Sequence, residues 1–260
     1  MGQSAQLANE LGKTLQRLNR LTTIWLVGSY NTAPTTSQGL DLLAVFADGD
    51  IHNYAEPMIK ILGDKWPGSD FIINDDSVQF KSLDHIPVNI AAYRLELLLQ
   101  QIHHYANGRC LEGQHRTWTN GYWLPEALCG DLATSTCLYD SAEADPFIRV
   151  LVEPYPDLLA QAIKALCILE IEQKLVILEK SNYSKEKVEI FLAINDIIAA
   201  SLRFAFAESR CYLMGFKRLE QQACVLNKRG RSIYELAQNL TRNNSLEEAM
   251  LKIRAIQTIL

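Results

Sequence analysis

One acid stands alone inside an apolar run: Asp41, in the segment LDLLAVF spanning residues 40–46. A second apolar run, TTIWLV, precedes it and ends in Gly28-Ser29, and a loop rich in Thr and Pro joins the two. Burying an unpaired carboxylate costs several kcal/mol, so Asp41 requires a partner or a ligand. Two roles suit it. A strand-borne carboxylate beside a glycine-led turn can face a metal or a nucleotide, with the turn's N–H groups approaching phosphate oxygens. Alternatively, Asp41 is a structural acid accepting backbone hydrogen bonds near the Ser29 turn. Asn89 sits at the alternating position between Val88 and Ile90 in IPVNIA and could offer a neutral oxygen to a cation or line a ligand pocket.

Further along, WLPEALCGD places Glu126 and Asp131 where either could act as a general base near an acceptor hydroxyl, or simply cap or support a helix. Tyr122 and Trp123 just upstream suit a stacking pocket or the core. Arg210 and Lys217 lie seven apart, two turns of a helix that continues through Met214-Gly215. Such a pair is either a cationic clamp for a phosphate or an ordinary charged helix end. Asp48, Asp50, Asp75, Asp76 and Asp84 read as solvated turn acids or a helix entry. His103-His104 has no ligand-spaced Cys or acid beside it, and the six cysteines show no CxxC pairing, so they read as small hydrophobes in a reducing cytosol rather than a zinc site.

The elements that must hold these groups follow from periodicity. Leu7, Leu11, Leu15 and Leu18 fall on one face of a helix. From Thr22 to about Ala92, short apolar runs (TTIWLVG, LDLLAVF, DFIIN, VQF, IPVNIA) read as strands, with HNYAEPMIKILGDKW and YRLELLLQQIHHYA as helices. After residue 110 a turn-rich aromatic connector leads to helices. Pro156-Asp157 opens one, Ser184 with Glu186 opens a longer one from Lys185 to about Met214, and Ser245 with Glu248 forms the capping box of the last. The expected fold class is α+β. Residues 1–110 form an α/β-type domain with a small mixed sheet, and residues 111–260 form a connector and an all-α helical domain, with a ligand cleft between the two.

The totals bound the function. A 260-residue chain with 48% hydrophobic and 21% charged residues is ordinary for a soluble protein, and a net charge of −5 argues against a nucleic-acid or anionic-membrane partner. No apolar run approaches the roughly 20 residues of a membrane span, and the polar N-terminus lacks a signal-peptide core. The expectation is a cytoplasmic protein, monomer or homodimer, with a small-molecule ligand.

Gly28-Ser29, nine residues, then Gly39-Leu40-Asp41 resembles the motif of the nucleotidyltransferase superfamily, the polymerase-β-like fold that includes the bacterial aminoglycoside and lincosamide enzymes. The segments YDSAEADPFIRVLVEPYPDLL and FAFAESRCYLMGFKRLEQQ resemble the helical domain of one bacterial branch, so the likeness spans roughly residues 20–255. The resemblance implies a nucleotidyltransferase fold, phosphate contacts at Gly28 and Ser29, Arg210 and Lys217 in the nucleotide-binding stretch, and Mg2+ and ATP as cofactors with Asp41 as metal ligand. It also implies Asp-x-Asp followed by a third Asp. Here Gly39 stands in the first place and Asn89 in the third, so one carboxylate of three remains. Two readings stand. In the first, standard nucleotide transfer is lost or altered and the cleft binds a small molecule, with the chemistry reassigned if it is an enzyme. In the second, the chain is an active Mg2+-dependent enzyme moving AMP from ATP to a hydroxyl of a small molecule such as an aminoglycoside-like compound.

Overall fold

The computed structural model describes residues 3–32, 39–49, 51–74, 77–82, 85–109, 116–118, 121–184, 187–242 and 245–260. In chain order the elements are α1 (Gln3–Leu15), β1 (Leu21–Val27), α2 (Ser29–Thr32), β2 (Leu40–Phe46), α3 (Ile51–Lys65), β3 (Ile72–Ile73), β4 (Ser77–Lys81) and β5 (Pro87–Arg94). Then come α4 (Leu95–Ala106), β6 (Arg116–Trp118), β7 (Gly121–Trp123), α5 (Pro125–Thr134), β8 (Thr136–Asp140) and α6 (Ala144–Val152). The last helices are α7 (Asp157–Ser184), α8 (Lys187–Glu208), α9 (Leu219–Gln222), α10 (Lys228–Leu240) and α11 (Leu246–Ile259). The chain divides into two compact units, residues 1–103 with 128–154 and residues 104–127 with 155–260.

The first unit is α+β. Its six-stranded mixed sheet runs β3-β4-β5-β2-β1-β8, with β1–β2 antiparallel and β2–β5 parallel. Strands β1 and β2 are buried at six of their seven positions, as expected of apolar runs at the centre of a sheet. Period-2 alternation sorts their side chains. Ile24, Leu26, Leu42, Ala44, Phe46, Val78 and Ile90 pack with Leu7, Leu11 and Leu15 of α1 and Met58 and Leu62 of α3 in one core cluster. Trp25, Asp41, Leu43, Val45 and Asn89 fall on the opposite face. There the indole Nε1 of Trp25 donates to Asp145 of α6 at 2.6 Å. Strand β8, unforeseen in the sequence, closes the edge beside β1, and Thr23 Oγ1 donates to its Asp140 at 3.1 Å. Asp140 also accepts from the backbone N–H groups of Ala142, Ala144 and Asp145, which fixes the entry to α6.

The second unit is mainly helical, with the β6–β7 hairpin. Helix α8 packs against α7, α10 and α11. By length and composition α8 is apolar enough to pass for a membrane span, yet half of that window is buried inside the protein. Ser245 Oγ accepts from the Glu248 N–H at 3.1 Å, as its capping-box spacing predicts.

Two helix expectations are corrected. The longest helix among the described residues is α7, with 28 residues, and α8 ends at Glu208 rather than near Met214. The end of α8 is a Schellman motif: the Cys211 N–H donates to Phe206 O, the Arg210 N–H donates to Ala207 O, and Arg210 takes the left-handed conformation with φ 55°. That place is usually glycine's, so an arginine there hides the stop from sequence reading.

Candidate functional site

Strand β1 ends at Gly28, whose φ of 74° turns the chain into α2. A Cβ at Gly28 would meet Asp41 Oδ2 at 2.8 Å, so the space a side chain would fill belongs to the carboxylate of the neighbouring strand. Val27 pairs with Asp41 across the antiparallel ladder, and Asp41 pairs with Asn89 across the parallel one. The three strands therefore bring Gly28, Asp41 and Asn89 together, as the resemblance implies. Asp41 is the one residue of β2 that is not buried. The α2 turn carrying Ser29 is tied down by Asn31, whose side-chain amide donates to Leu26 O and accepts from Thr136 Oγ1 of β8.

Helix α5 adds a second carboxylate to this group. Asp131 Oδ1 accepts from the Gly28 N–H at 3.2 Å, so both acids converge on the same glycine. Burial, and then the charge of Asp41, push the Asp131 carboxyl from 3.8 up to about 7, while the Gly28 N–H pulls the other way. A carboxyl in that range can give or take a proton near neutrality. Asn89 is 4% exposed; its Nδ2 lies 3.5 Å from Asp41 Oδ1, and its Oδ1 has no hydrogen-bond partner among the described residues. On the other side, Gly39 backs onto strand β5: a Cβ there would sit 2.7 Å from the Pro87 carbonyl oxygen. No three His, Cys, Asp or Glu side chains gather into a metal-holding group among the described residues.

The other expected site residues stand in different settings. Glu126, at the start of α5 and 2% exposed, holds Arg203 of α8 in a two-point ion pair, Nε to Oε1 at 2.7 Å and Nη2 to Oε2 at 3.3 Å. Burial by itself would lower the guanidinium's pKa, but Glu126 more than offsets it and the net shift is upward. Arg203 was legible as a lone base inside the apolar run SLRFAF, the counterpart of Asp41 in LDLLAVF, but the sequence reading did not single it out. Arg210 is bound to Asp157 at the start of α7 at 2.8 Å. Lys217 lies beyond the end of α8 in a loop whose carbonyls at 215 and 217 both accept from the Gln222 side-chain amide, so the seven-residue spacing from Arg210 is not helical. Tyr122 and Trp123 lie on β7. Asp75, Asp76, Asp84, Asp50 and Cys110 lie outside the described residues. Asp48 precedes α3 and takes part in an ion pair with Arg20.

No protein-family model matches the chain, and no curated protein does. Among solved structures, the chain is similar to a nucleotidyltransferase-like protein from Exiguobacterium sibiricum 255-15, at 12% identity and a TM-score of 0.46, over 99% of this chain and 74% of that one. It is also similar to a CCA-adding enzyme solved in complex with ATP, at 13% identity and a TM-score of 0.33, over 92% of this chain and 57% of that one.

Proposed function

We propose that this chain is a nucleotidyltransferase-like protein in which the standard two-metal transfer is lost. In this reading the place where Gly28, Asp41, Asn89 and Asp131 meet serves to bind a small molecule. The observation that carries the reading is at Gly39. A hard divalent cation pair needs several carboxylates at fixed positions. The place where the resemblance expects the first of them backs onto the Pro87 carbonyl, and a side chain there would begin 2.7 Å from that oxygen. The place of the third holds the neutral amide of Asn89. The residues present do not fit a two-magnesium centre. Asp41 and Asp131 instead orient hydrogen-bond donors of a ligand. If the site also performs chemistry, Asp131 is the group placed to take a proton, since its pKa lies near neutrality.

Calorimetric titration of ATP into wild type and Asp41→Ala, each with and without magnesium, tests this. The expected result is no magnesium-dependent binding of ATP in the micromolar range for either protein. Micromolar binding that requires both magnesium and Asp41 would restore the competing reading, AMP transfer to a small-molecule hydroxyl, and overturn this one.

A further inference from the structure

We propose that the cleft between α1 and α3 is a binding site for a compact oligophosphate anion, held by Lys13, Arg17 and Lys65. The proposal stands apart from the reading above. Helices α1 and α3 pack on the core face of the sheet, whereas Asp41 and Asn89 fall on the other face.

Three observations carry it. First, an open pocket of about 260 Å³ lies here, lined by Glu10, Lys13, Thr14, Arg17 and Lys65. That is just below the roughly 300–1,000 Å³ of sites for drug-sized ligands, so it suits a compact group. Glu10, Lys13, Thr14 and Arg17 recur at intervals of three and four and share one face of α1. The Gln16 N–H donates to Gly12 O at 3.1 Å and the Arg17 N–H to Thr14 O at 3.3 Å. The turn therefore continues past Leu15 and keeps Arg17 on that face, while Lys65 enters from the end of α3. Second, the charge is unbalanced: three cations face one acid, in a chain whose net charge is −5. Lys65 Nζ lies 3.7 Å from Glu10 Oε2, and their side chains are 50% and 40% exposed, so this pair contributes little. Among the described residues no ion pair holds Lys13 or Arg17. Helix dipoles account for Lys13 and Lys65, one at each helix end, but not for Arg17 as well. Third, the free hydrogen-bonding groups are one-sided. The Thr14 hydroxyl is engaged by Glu10 O at 2.8 Å, so the lining offers an occupant chiefly ammonium and guanidinium N–H groups. Phosphate oxygens accept and do not donate; a guanidinium fork can take two of them while lysines act as point charges. Three cationic groups suit charge spread over more than one phosphate. Among the described residues no aromatic side chain lines the pocket, so it has no platform for a base.

Pyrophosphate would be titrated into the 15N-labelled full chain in magnesium-free buffer of low ionic strength, with acetate as a monoanion control. The amide resonances of Thr14 in the cleft and Gly28 at the candidate site are followed together. The expected result is a saturable Thr14 shift at submillimolar to low-millimolar pyrophosphate, weakening as salt is raised, with Gly28 unmoved and no response to acetate. Lys13→Gln and Arg17→Gln should each weaken binding about threefold to tenfold. Glu10→Gln removes the opposing charge and should tighten it about twofold to fivefold. Lys60→Gln removes an exposed charge of α3 outside the lining and should leave affinity unchanged. A Thr14 resonance unmoved by roughly 10 mM pyrophosphate, weaker than any specific site of this kind, would overturn the proposal. So would a matching response to acetate, or equal weakening by Lys60→Gln and Arg17→Gln, which is the behaviour of a diffuse field rather than a site. Co-sedimentation with phosphatidylcholine vesicles carrying phosphatidic acid separates the sources of phosphate, and the protein should stay in solution. Sedimentation of wild type but not of Arg17→Gln would overturn the free anion in favour of a lipid headgroup. A Gly28 shift without a Thr14 shift would overturn the proposal too, and would count for phosphate binding at the candidate site instead.

Discussion

Helix α5 carries two acids five residues apart, Glu126 and Asp131, and they meet opposite surroundings. Glu126 is buried and held at both oxygens by Arg203, so its charge is neutralised where it sits. Asp131 faces another carboxylate and one backbone N–H, and its carboxyl is displaced to about 7. The same residue chemistry, on the same helix, becomes a structural clamp in one case and a responsive group in the other. Burial acts on both, but a guanidinium compensates Glu126, whereas at Asp131 burial goes uncompensated and the charge of Asp41 adds to it.

The comparison can be broken most severely at Arg203. Replacing it with methionine would leave Glu126 as an uncompensated buried charge, and should destabilise the protein by about 3–5 kcal/mol. A fall in the urea midpoint at neutral pH measures this. Adding Glu126→Leu should recover most of the loss, because removing a buried pair together is far milder than removing half of it. A single variant as stable as wild type would mean that water reaches Glu126 freely.

The next largest effect concerns Asp131 and pH. Between 3.8 and about 7 the unfolded chain has released this proton while the folded one keeps it. Stability therefore falls as pH rises through that window and is flat above it. Asp131→Asn should abolish this contribution, so that wild type loses about 2 kcal/mol more than the variant between pH 5 and pH 8. Urea denaturation at the two pH values gives the difference, and parallel pH profiles would show that neither burial nor Asp41 displaces the Asp131 carboxyl.

Arg210 sharpens the comparison from the exposed end. Its partner Asp157 has a side chain 76% exposed, so their ion pair contributes between zero and about 1 kcal/mol. The left-handed backbone at Arg210 costs about 1 kcal/mol that glycine would not incur. Arg210→Gly should thus change stability by less than about 1 kcal/mol, in the stabilising direction. Thermal denaturation would detect it. A loss above that size would show that Arg210 carries a load beyond Asp157.

What the sequence revealed follows from how local each cause is. The leucines of α1, the apolar runs of β1 and β2 and the Ser245 cap depend on residues within a turn or a strand of one another, and all were legible. The meeting of Gly28, Asp41 and Asn89 was expected from the resemblance to the nucleotidyltransferase motif, because strand alternation alone does not choose which strands pair. Asp131 was read as either a general base or a structural acid, but its place against Gly28 was not foreseen, because a contact between residues 103 apart has no periodic signature. The end of α8 was hidden for another reason. The glycine that usually marks a Schellman stop is replaced by Arg210, and composition then reads as continued helix. Strand β8 is short and half-exposed, so it lacked the apolar run that identified its neighbours.

That strand also has a bearing on how the chain is made. Thr23 of β1 reaches Asp140 of β8 across 117 positions, and residues 104–127 of the second unit are synthesised in between. On the ribosome, the edge of β1 waits without its neighbour until Asp140 has emerged, some seconds after β1 itself at about 5–20 residues per second. An unpaired edge next to the most apolar strands of the sheet is an aggregation template for as long as it waits. The nascent chain, rather than the finished fold, is therefore where this protein is most exposed to misassembly, and the interval is set by the length of chain inserted before β8.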